Sequence, residues 1–278
     1  MNLEQQALWA RSFLERHRKP PILLLPNAWD PLSARLFVAA GFEALATTSG
    51  GVAWALGYPD GEVAPWSDVV AATARIVEAA KVPVTADIEA GYGATPAEVR
   101  DHVAQIIQVG VVGVNIEDSI HGSMRSVDDA AARLSAARDA AQKEGVPIVL
   151  NARCDIFHLK YGNNRTRFSE TVNRCKAYSA AGADCVYPFG LRDSETISAF
   201  VSAVGVPVNV TGRPGMPNAL ALERMGVARI TIATAAALAT MSSIQRLATE
   251  LRATGAFDGL TSTLDRAAAQ TLFANQGG

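Results

Sequence analysis

The sequence predicts an α/β fold of the (β/α)8 barrel class, and three observations carry that prediction. First, four segments share one pattern: a helix ending in a small or apolar residue, then glycine, then an apolar strand. They are "VAAGFEALATTS", "IQVGVVGVNIED", "SAAGADCVYPFG" and "ERMGVARITIAT", with glycine supplying the left-handed turn that stops a helix. Second, three further strands open on Val-Pro, in "KVPVTADIE", "GVPIVLNARCD" and "GVPVNVTG"; proline suits a first strand position, where its missing N–H does little harm. Third, with "PPILLLPNAWD" at the front, these strands alternate with helical stretches. Eight such units in about 250 residues is the size of a closed barrel. The rival is a doubly wound open sheet, but no GxGxxG follows the first strand.

The elements follow in order. The opening stretch "MNLEQQALWARSFLERHRKP" lacks the continuous apolar segment of a secretory signal. Leu3, Ala7 and Leu8, with Phe13 and Leu14, instead predict an amphipathic helix. Strands are expected near 22–26, 43–48, 83–88, 112–117, 147–152, 184–189, 206–210 and 228–233. They read as near-continuous apolar runs, as parallel strands covered on both faces do. "PWSDVVAATARIVEAAK" and "TPAEVRDHVAQIIQV" read as intervening helices. Thr95 and Glu98 form a capping box at the start of the second, with Pro96 at its first position. Residues 1–278 are thus expected to form a single barrel domain with an N-terminal helix and a C-terminal helical extension.

Apolar residues make up 49% of the chain and charged ones 19%, so a large core can be buried. Lys plus Arg total 25 against 27 for Asp plus Glu, which argues against a nucleic-acid surface or a polybasic membrane patch. No apolar run is long enough to span a bilayer. Cys154, Cys175 and Cys185 form no CxxC pair and fit reduced, buried thiols in a cytoplasm.

A barrel places its chemistry where strands end and βα loops begin, and polar residues gather there. Strand 1 ends at Asn27, Trp29 and Asp30, and strand 2 at Thr47, Thr48, Ser49, Gly50 and Gly51. Strand 3 delivers Asp87 and Glu89, strand 4 Asn115, Glu117 and Asp118, strand 5 Asn151, Arg153 and Asp155, and strand 7 Asn209 and Thr211. The strand starts are bland. Two unit charges about 4 Å apart repel by about 4 kcal/mol at an effective dielectric near 20. Asp87, Glu89 and Glu117 at one mouth therefore call for compensation: protonation, ion pairs with Arg153 or lysines, or a cation. An all-oxygen ligand set favours Mg²⁺ or Mn²⁺ over zinc. Arg153 carries a fork suited to a carboxylate, and the "TSGG" stretch offers successive backbone N–H groups as an anion nest, or else a tight loop. A small 2-oxo acid fits such a set.

"TTSGGVAWALGYPDGE", "ADIEAGYG", "NIEDS" and "NARCD" resemble the isocitrate lyase/phosphoenolpyruvate mutase superfamily, along most of the chain from Leu25 to beyond Ala233. The resemblance implies a Mg²⁺-dependent barrel that makes or breaks a C–C or P–C bond beside a 2-oxo acid, through an enolate. It implies Asp87 as direct metal ligand, Glu89 and Glu117 acting through metal-bound waters, and Ser49, Gly50 and Gly51 at the ligand's carboxylate end. Arg153 is implied on the ligand's other side, and Asp60 of "LGYPDGE" as an acid reaching into the site. It further implies a last helix exchanged with a neighbouring subunit, hence a homodimer or homotetramer. "AALATMSSIQRLATELRATG" and "FDGLTSTLDRAAAQTLFA" are compatible with that. The superfamily's lyases carry a Lys-Lys/Arg-Cys-Gly-His loop after strand 4, and its phosphonate-forming members a Lys-Thr-Asn-Ser stretch. Here that place reads "EDSIHGSMRSVDDAAARL", shorter and without cysteine; His121, Ser123 and Arg125 are the candidates to replace those groups.

The expectation is a cytoplasmic Mg²⁺- or Mn²⁺-dependent lyase or decarboxylase for an oxaloacetate- or 2-oxoglutarate-like acid. Its catalytic residues are Asp60, Glu117 and Arg153; Ser49, Gly50, Gly51, Asp87, Arg153 and Asn209 bind substrate, and Asp87, Glu89 and Glu117 hold metal. Two alternatives are a phosphonopyruvate- or carboxyphosphonate-processing enzyme and a 2-oxo-acid binding protein without catalysis. His158, Arg165 and Arg167 are expected in an exposed loop, Cys154 in the core, and Trp54 and Trp66 as packing residues.

Overall fold

The structure is a computed structural model that describes residues 2–274. Helix α1 (Leu3–Arg16) leads into β1 (Leu23–Leu25), β2 (Asn27–Ala28) and α2 (Pro31–Ala39). Then come β3 (Leu45–Thr47), α3 (Ser49–Leu56), α4 (Trp66–Ala80), β4 (Val84–Asp87), α5 (Pro96–Gln108) and β5 (Gly113–Glu117). A small hairpin, β6 (Ser119–Ile120) and β7 (Ser123–Met124), precedes α6 (Val127–Glu144), β8 (Val149–Cys154), α7 (Arg167–Ala180) and β9 (Cys185–Pro188). The chain continues through α8 (Ser194–Val204), β10 (Asn209–Thr211), α9 (Ala219–Arg224), β11 (Arg229–Thr231), α10 (Ala235–Thr254) and α11 (Arg266–Ala274).

Every strand expected from the sequence is present. The parallel order β2-β3-β4-β5-β8-β9 is joined to β10-β11-β1 at two places. At one, β1 and β2 are a single strand interrupted by Pro26, which has no N–H to give; its carbonyl still accepts from Ala46 N at 3.0 Å. At the other, Val186 and Val208 form a parallel bridge between the β9 and β10 segments. The ring is closed with eight strands, as the (β/α)8 reading requires. Among the described residues no helix is long and apolar enough to cross a membrane.

Strand alternation divides the residues between two environments. Ala86, Val114, Leu150, Ala152 and Val186 join the apolar core with Val103, Ile106, Leu134 and Phe200 of the helices. Cys154 is fully buried with them and lies beside Cys175 of α7. The barrel lumen is polar by contrast: Thr85, Asn115, Asn151, Asn209, Arg229 and Thr231 are all buried. Asn115 and Asn151 face each other in register, and Asn151 Nδ2 donates to Asn115 Oδ1 at 2.8 Å.

The two ends of the chain depart from the sequence reading in detail. Helix α1 exists, yet Leu3 and Leu8 are exposed; Gln6, Ala7, Ala10 and Phe13 are the buried face. Gln6 lies inside because its Nε2 donates to Ile107 O and Val111 O, at 2.7 and 2.8 Å, satisfying one carbonyl in the last turn of α5 and one in the turn that follows it. The capping box of Thr95 and Glu98 is formed as expected, with Pro96 behind it. At the other end α10 buries only Ala237, leaving Leu238, Met241, Ile244 and Leu251 exposed.

Candidate active site

The C-terminal ends of the strands surround a cavity of about 310 Å³. Asn27, Ser49, Asp60, Asp87, Arg153 and Arg213 are among its walls. Asp87 ends β4, its backbone fixed by donation from Asp87 N to Thr47 Oγ1 at 2.9 Å. Its carboxylate receives only two long contacts, from Ser49 N at 3.5 Å and Glu89 N at 3.4 Å. Burial raises its pKa, Arg153 opposes that shift, and the Asp60 charge adds to it.

Ser49, Gly50 and Gly51 form the first turn of α3, so the expected nest is in fact a helix N-terminus. The N-cap, Thr48, makes no side-chain capping bond, which leaves first-turn N–H groups and the helix dipole available to an anion. The glycines are there for space. A Cβ on Gly50 would stand 3.0 Å from Asp60 Oδ2 and Thr234 Cγ2, and one on Gly51 2.7 Å from Thr48 Cγ2 and Trp29 Cβ. Asp60 therefore does reach the site, against the turn that would hold a carboxylate.

Glu89 and Glu117 flank Asp87 but point elsewhere. Glu89 adopts a left-handed backbone (φ 52°) and is buried. Its carboxylate accepts from Glu62 N and the Tyr92 hydroxyl, both at 2.8 Å. Burial, then the nearby Asp60 charge, pushes its pKa up to about 7. Glu117 ends β5 and pairs with Arg153 Nη1 at 2.7 Å, while burial holds it well above the ordinary range despite that pairing.

Arg153 is heavily committed. Its Nε and Nη2 clasp Asp155 at 2.6 and 2.9 Å, and its guanidinium lies 3.9 Å over the Phe189 ring. Asp155 in turn accepts from Ser119 Oγ at 2.7 Å, and its backbone N donates to Asp118 Oδ1 at 2.8 Å. Asp118 Oδ2 is held by Tyr178 and Arg174 of α7. The ion-pair reading of Glu117 therefore holds in this structure. Arg153 keeps its place in the cavity wall, but only part of its donor fork is left for a ligand.

Among the described residues, no three His, Cys, Asp or Glu side chains are disposed to hold a metal ion by themselves. The arrangement fits one direct ligand instead. Asp87 has unused acceptor capacity, and Mg²⁺ binds through one or two carboxylates while keeping several waters. Glu89 and Glu117 are its acidic neighbours at the ends of the strands, and a cation would offset the charge of all three acids, whose pKa values are raised first by burial and further by neighbouring carboxylates.

Asn209 does not line the cavity. It lies beneath, fully buried, exchanging hydrogen bonds with Thr231 Oγ1 at 3.3 and 3.4 Å. His121 is exposed at the tip of the β6–β7 hairpin, at φ 48° next to Gly122 at φ 76°, as a two-residue hairpin turn requires. Ser123 is exposed too, and Arg125 pairs with Asp129 at 3.0 Å. None of the three lines the cavity. His158, expected as a plain loop residue, does line the mouth, its ring 4.8 Å from that of Phe189. Arg165 stays in the surface loop, whereas Arg167 is half-buried and opens α7, its Nη2 donating back to Lys160 O at 2.9 Å. Trp66 packs on Tyr92 and His102, as a packing residue should.

Sequence reasoning missed Tyr187, Phe189 and Arg213. The first two follow from alternation along "CVYPF", which turns Cys185, Tyr187 and Phe189 to the same side. Arg213 stands two residues beyond Thr211, just outside the window read at the strand's end.

Residues 13–252 match the phosphoenolpyruvate phosphomutase family. A solved structure from Burkholderia cenocepacia J2315 is 35% identical, with a TM-score of 0.90 over 98% of this chain and 97% of that one. The oxaloacetate decarboxylase of Ectopseudomonas mendocina is 27% identical over 72% of this chain and 70% of its own. The 2-methylisocitrate lyase of Escherichia coli is 29% identical over 76% and 72%. Family match, barrel topology and the placement of the motif residues agree: the chain belongs to the phosphoenolpyruvate phosphomutase family, and is a barrel enzyme of the isocitrate lyase/PEP mutase superfamily of lyases and mutases.

Proposed function

We propose that this enzyme breaks a carbon–carbon bond beside the keto group of a small 2-oxo acid, with Mg²⁺ or Mn²⁺ as cofactor and an enolate as the species to be stabilised. The observation that carries the reading is the opening of Asp87, of Ser49 at the first turn of α3, and of Arg153 with its partner Glu117 behind it, into one cavity. The oxaloacetate decarboxylase among its relatives is named for such an acid. A divalent cation at Asp87 supplies positive charge that neutralises the acids and polarises a keto oxygen. Asp87 would hold it directly, and Glu89 and Glu117 would act through its waters. The first-turn N–H groups at Gly50 and Gly51, with that of Ser49, whose present contact to Asp87 is long, take the substrate carboxylate. The donors of Arg153 not used by Asp155 and Glu117 face the developing negative charge, already oriented before substrate arrives. Asp60 stands at the mouth, where it crowds the first turn of α3.

Pyruvate release from oxaloacetate, followed with Mg²⁺ and with EDTA, tests the reading, with D87N correcting for decarboxylation by free metal. Turnover that survives EDTA, or that D87N retains, defeats it. The family match favours a second reading, phosphonopyruvate or carboxyphosphonate processing; phosphorus NMR showing neither formation nor cleavage of a P–C bond removes it. The hairpin without a thiol favours a third, binding without catalysis, which rapid turnover of any 2-oxo acid eliminates.

We further propose a homodimer or homotetramer built by exchange of α10, whose Leu238, Met241 and Ile244 are exposed in the single chain. M241E/I244E should lower the mass seen by light scattering; an unchanged mass counts against the exchange.

A further inference from the structure

Among the described residues that line the cavity, Arg213 is a cation that forms no ion pair. It follows β10, is half-buried, and lines the same wall as Arg153. Yet among the described residues it forms none of the ion pairs that occupy Arg125, Arg133, Arg138, Arg153 and Arg174. Its guanidinium carbon lies 5.3 Å from the centre of the Phe189 ring, while that of Arg153 lies 3.9 Å from the same centre. One aromatic ring therefore stands close to both cations, which places both guanidiniums on the same part of the cavity wall. Phe189 is itself anchored, buried and packed edge-on against Tyr187 with ring centres 5.4 Å apart. A guanidinium partly withdrawn from water without a counter-ion is costly, and its planar fork matches a carboxylate.

From this we infer that Arg213 is a specificity residue: it receives a second, distal carboxylate, so the preferred substrate is a short dicarboxylic 2-oxo acid rather than a monoacid. The inference rests on the reading that the keto-acid end binds at Asp87 and the first turn of α3. Charge balance supports it. Arg153 is matched by Asp155 and Glu117, so of the two arginines described as lining the cavity it is Arg213 that a distal carboxylate finds without an ionic partner. The neighbouring His158 ring has its pKa lowered by burial and by both arginines, with Asp155 opposing, which disfavours a further positive charge beside the same anion. Phe189, which lines the cavity beside both arginines, offers an apolar surface to the carbon chain of such a substrate and leaves its two ends to charged groups.

The test uses length-matched acids differing only in the distal group: 2-oxoglutarate against 2-oxovalerate, and oxaloacetate against 2-oxobutyrate. Binding to the Mg²⁺-loaded protein is measured by calorimetry for wild type, R213Q and R213K, with thermal unfolding checked alongside. The expected result is a loss of about 10- to 100-fold for at least one diacid in R213Q, with its matched monoacid changed less than about twofold and R213K intermediate. Equal weakening of diacid and monoacid, or no weakening, overturns the role of Arg213 while leaving the 2-oxo-acid site intact. Failure of wild type to bind any of the four acids overturns the site itself, and this inference with it.

Discussion

Replacing Arg153 by glutamine separates what the arginine does for the fold from what it does for a ligand. In the structure it neutralises two carboxylates, Asp155 with 1% and Glu117 with 15% of the side chain exposed. Removing one partner of a buried ion pair costs about 3–5 kcal/mol, because a charge is left without compensation. The loss has a ceiling set by proton uptake. A stranded glutamate can be neutralised at pH 7 for about 4 kcal/mol, and at pH 5 for only about 1 kcal/mol, starting from its ordinary pKa. The sign follows. A carboxylate whose folded-state pKa is raised contributes stability below its unfolded pKa, and loses it as pH climbs toward the folded value.

R153Q should therefore fall short of wild type by about 3–5 kcal/mol at pH 7, roughly 10 °C in a chain of this size. The shortfall should shrink to about 2 kcal/mol or less at pH 5. Adding E117Q removes one stranded charge and should return part of the deficit at pH 7, a coupling that the double-mutant cycle measures. Urea unfolding of the four proteins at both pH values is the assay. A deficit of equal size at the two pH values would refute the reasoning and assign the cost to the lost contact with Phe189.

Three further outcomes are expected. D87N should abolish metal-dependent turnover and the heat of Mg²⁺ binding while leaving the melting temperature unchanged or higher, because burial and Asp60 already disfavour the charged form. G51A should destabilise by about 1–3 kcal/mol, since the new methyl meets Thr48 and Trp29 at 2.7 Å, and thermal unfolding reads the loss. The His17 ring bonds Phe13 O at 2.8 Å, and burial followed by the Arg229 charge lowers its pKa to about 3. A histidine depressed in this way gives stability above its unfolded pKa and loses it as pH falls, about 2 kcal/mol by pH 5. H17N, which can still donate to Phe13 O, should melt with a shallower dependence on pH between 7 and 5.

The barrel was legible because its signals are local. A glycine stop, a Val-Pro start and an apolar run each need only a few residues, and all eight strands lie within about two or three residues of their expected places. The site was legible to the extent that strand ends predict a common rim, which brought Asp87, Arg153, Glu117 and Ser49 together. Asn209 fails because its position in β10 turns it inward one layer too low, against Thr231. Gln6 was invisible because its burial is decided by two carbonyls about a hundred residues away. Arg213 and Phe189 depend on how two loops meet, and no periodicity encodes that.

The electrostatics divide the site into a fixed half and an open half. From α7, Arg174 and Tyr178 hold Asp118; Asp118 holds the backbone of Asp155; Asp155 and Glu117 hold Arg153. Every member of that chain is buried or nearly so, and most of its donors and acceptors are paired, so the guanidinium is oriented before any ligand arrives. Asp87, by contrast, has two long contacts and a raised pKa, and Arg213 has no ionic partner among the described residues. These two are the groups whose free energy improves most when a cation and an anion enter. A substrate that carries its own negative charge at both ends, arriving with a divalent cation, compensates both at once and leaves the fixed half undisturbed. This is the physical reason to expect metal and diacid to bind more tightly together than either does alone.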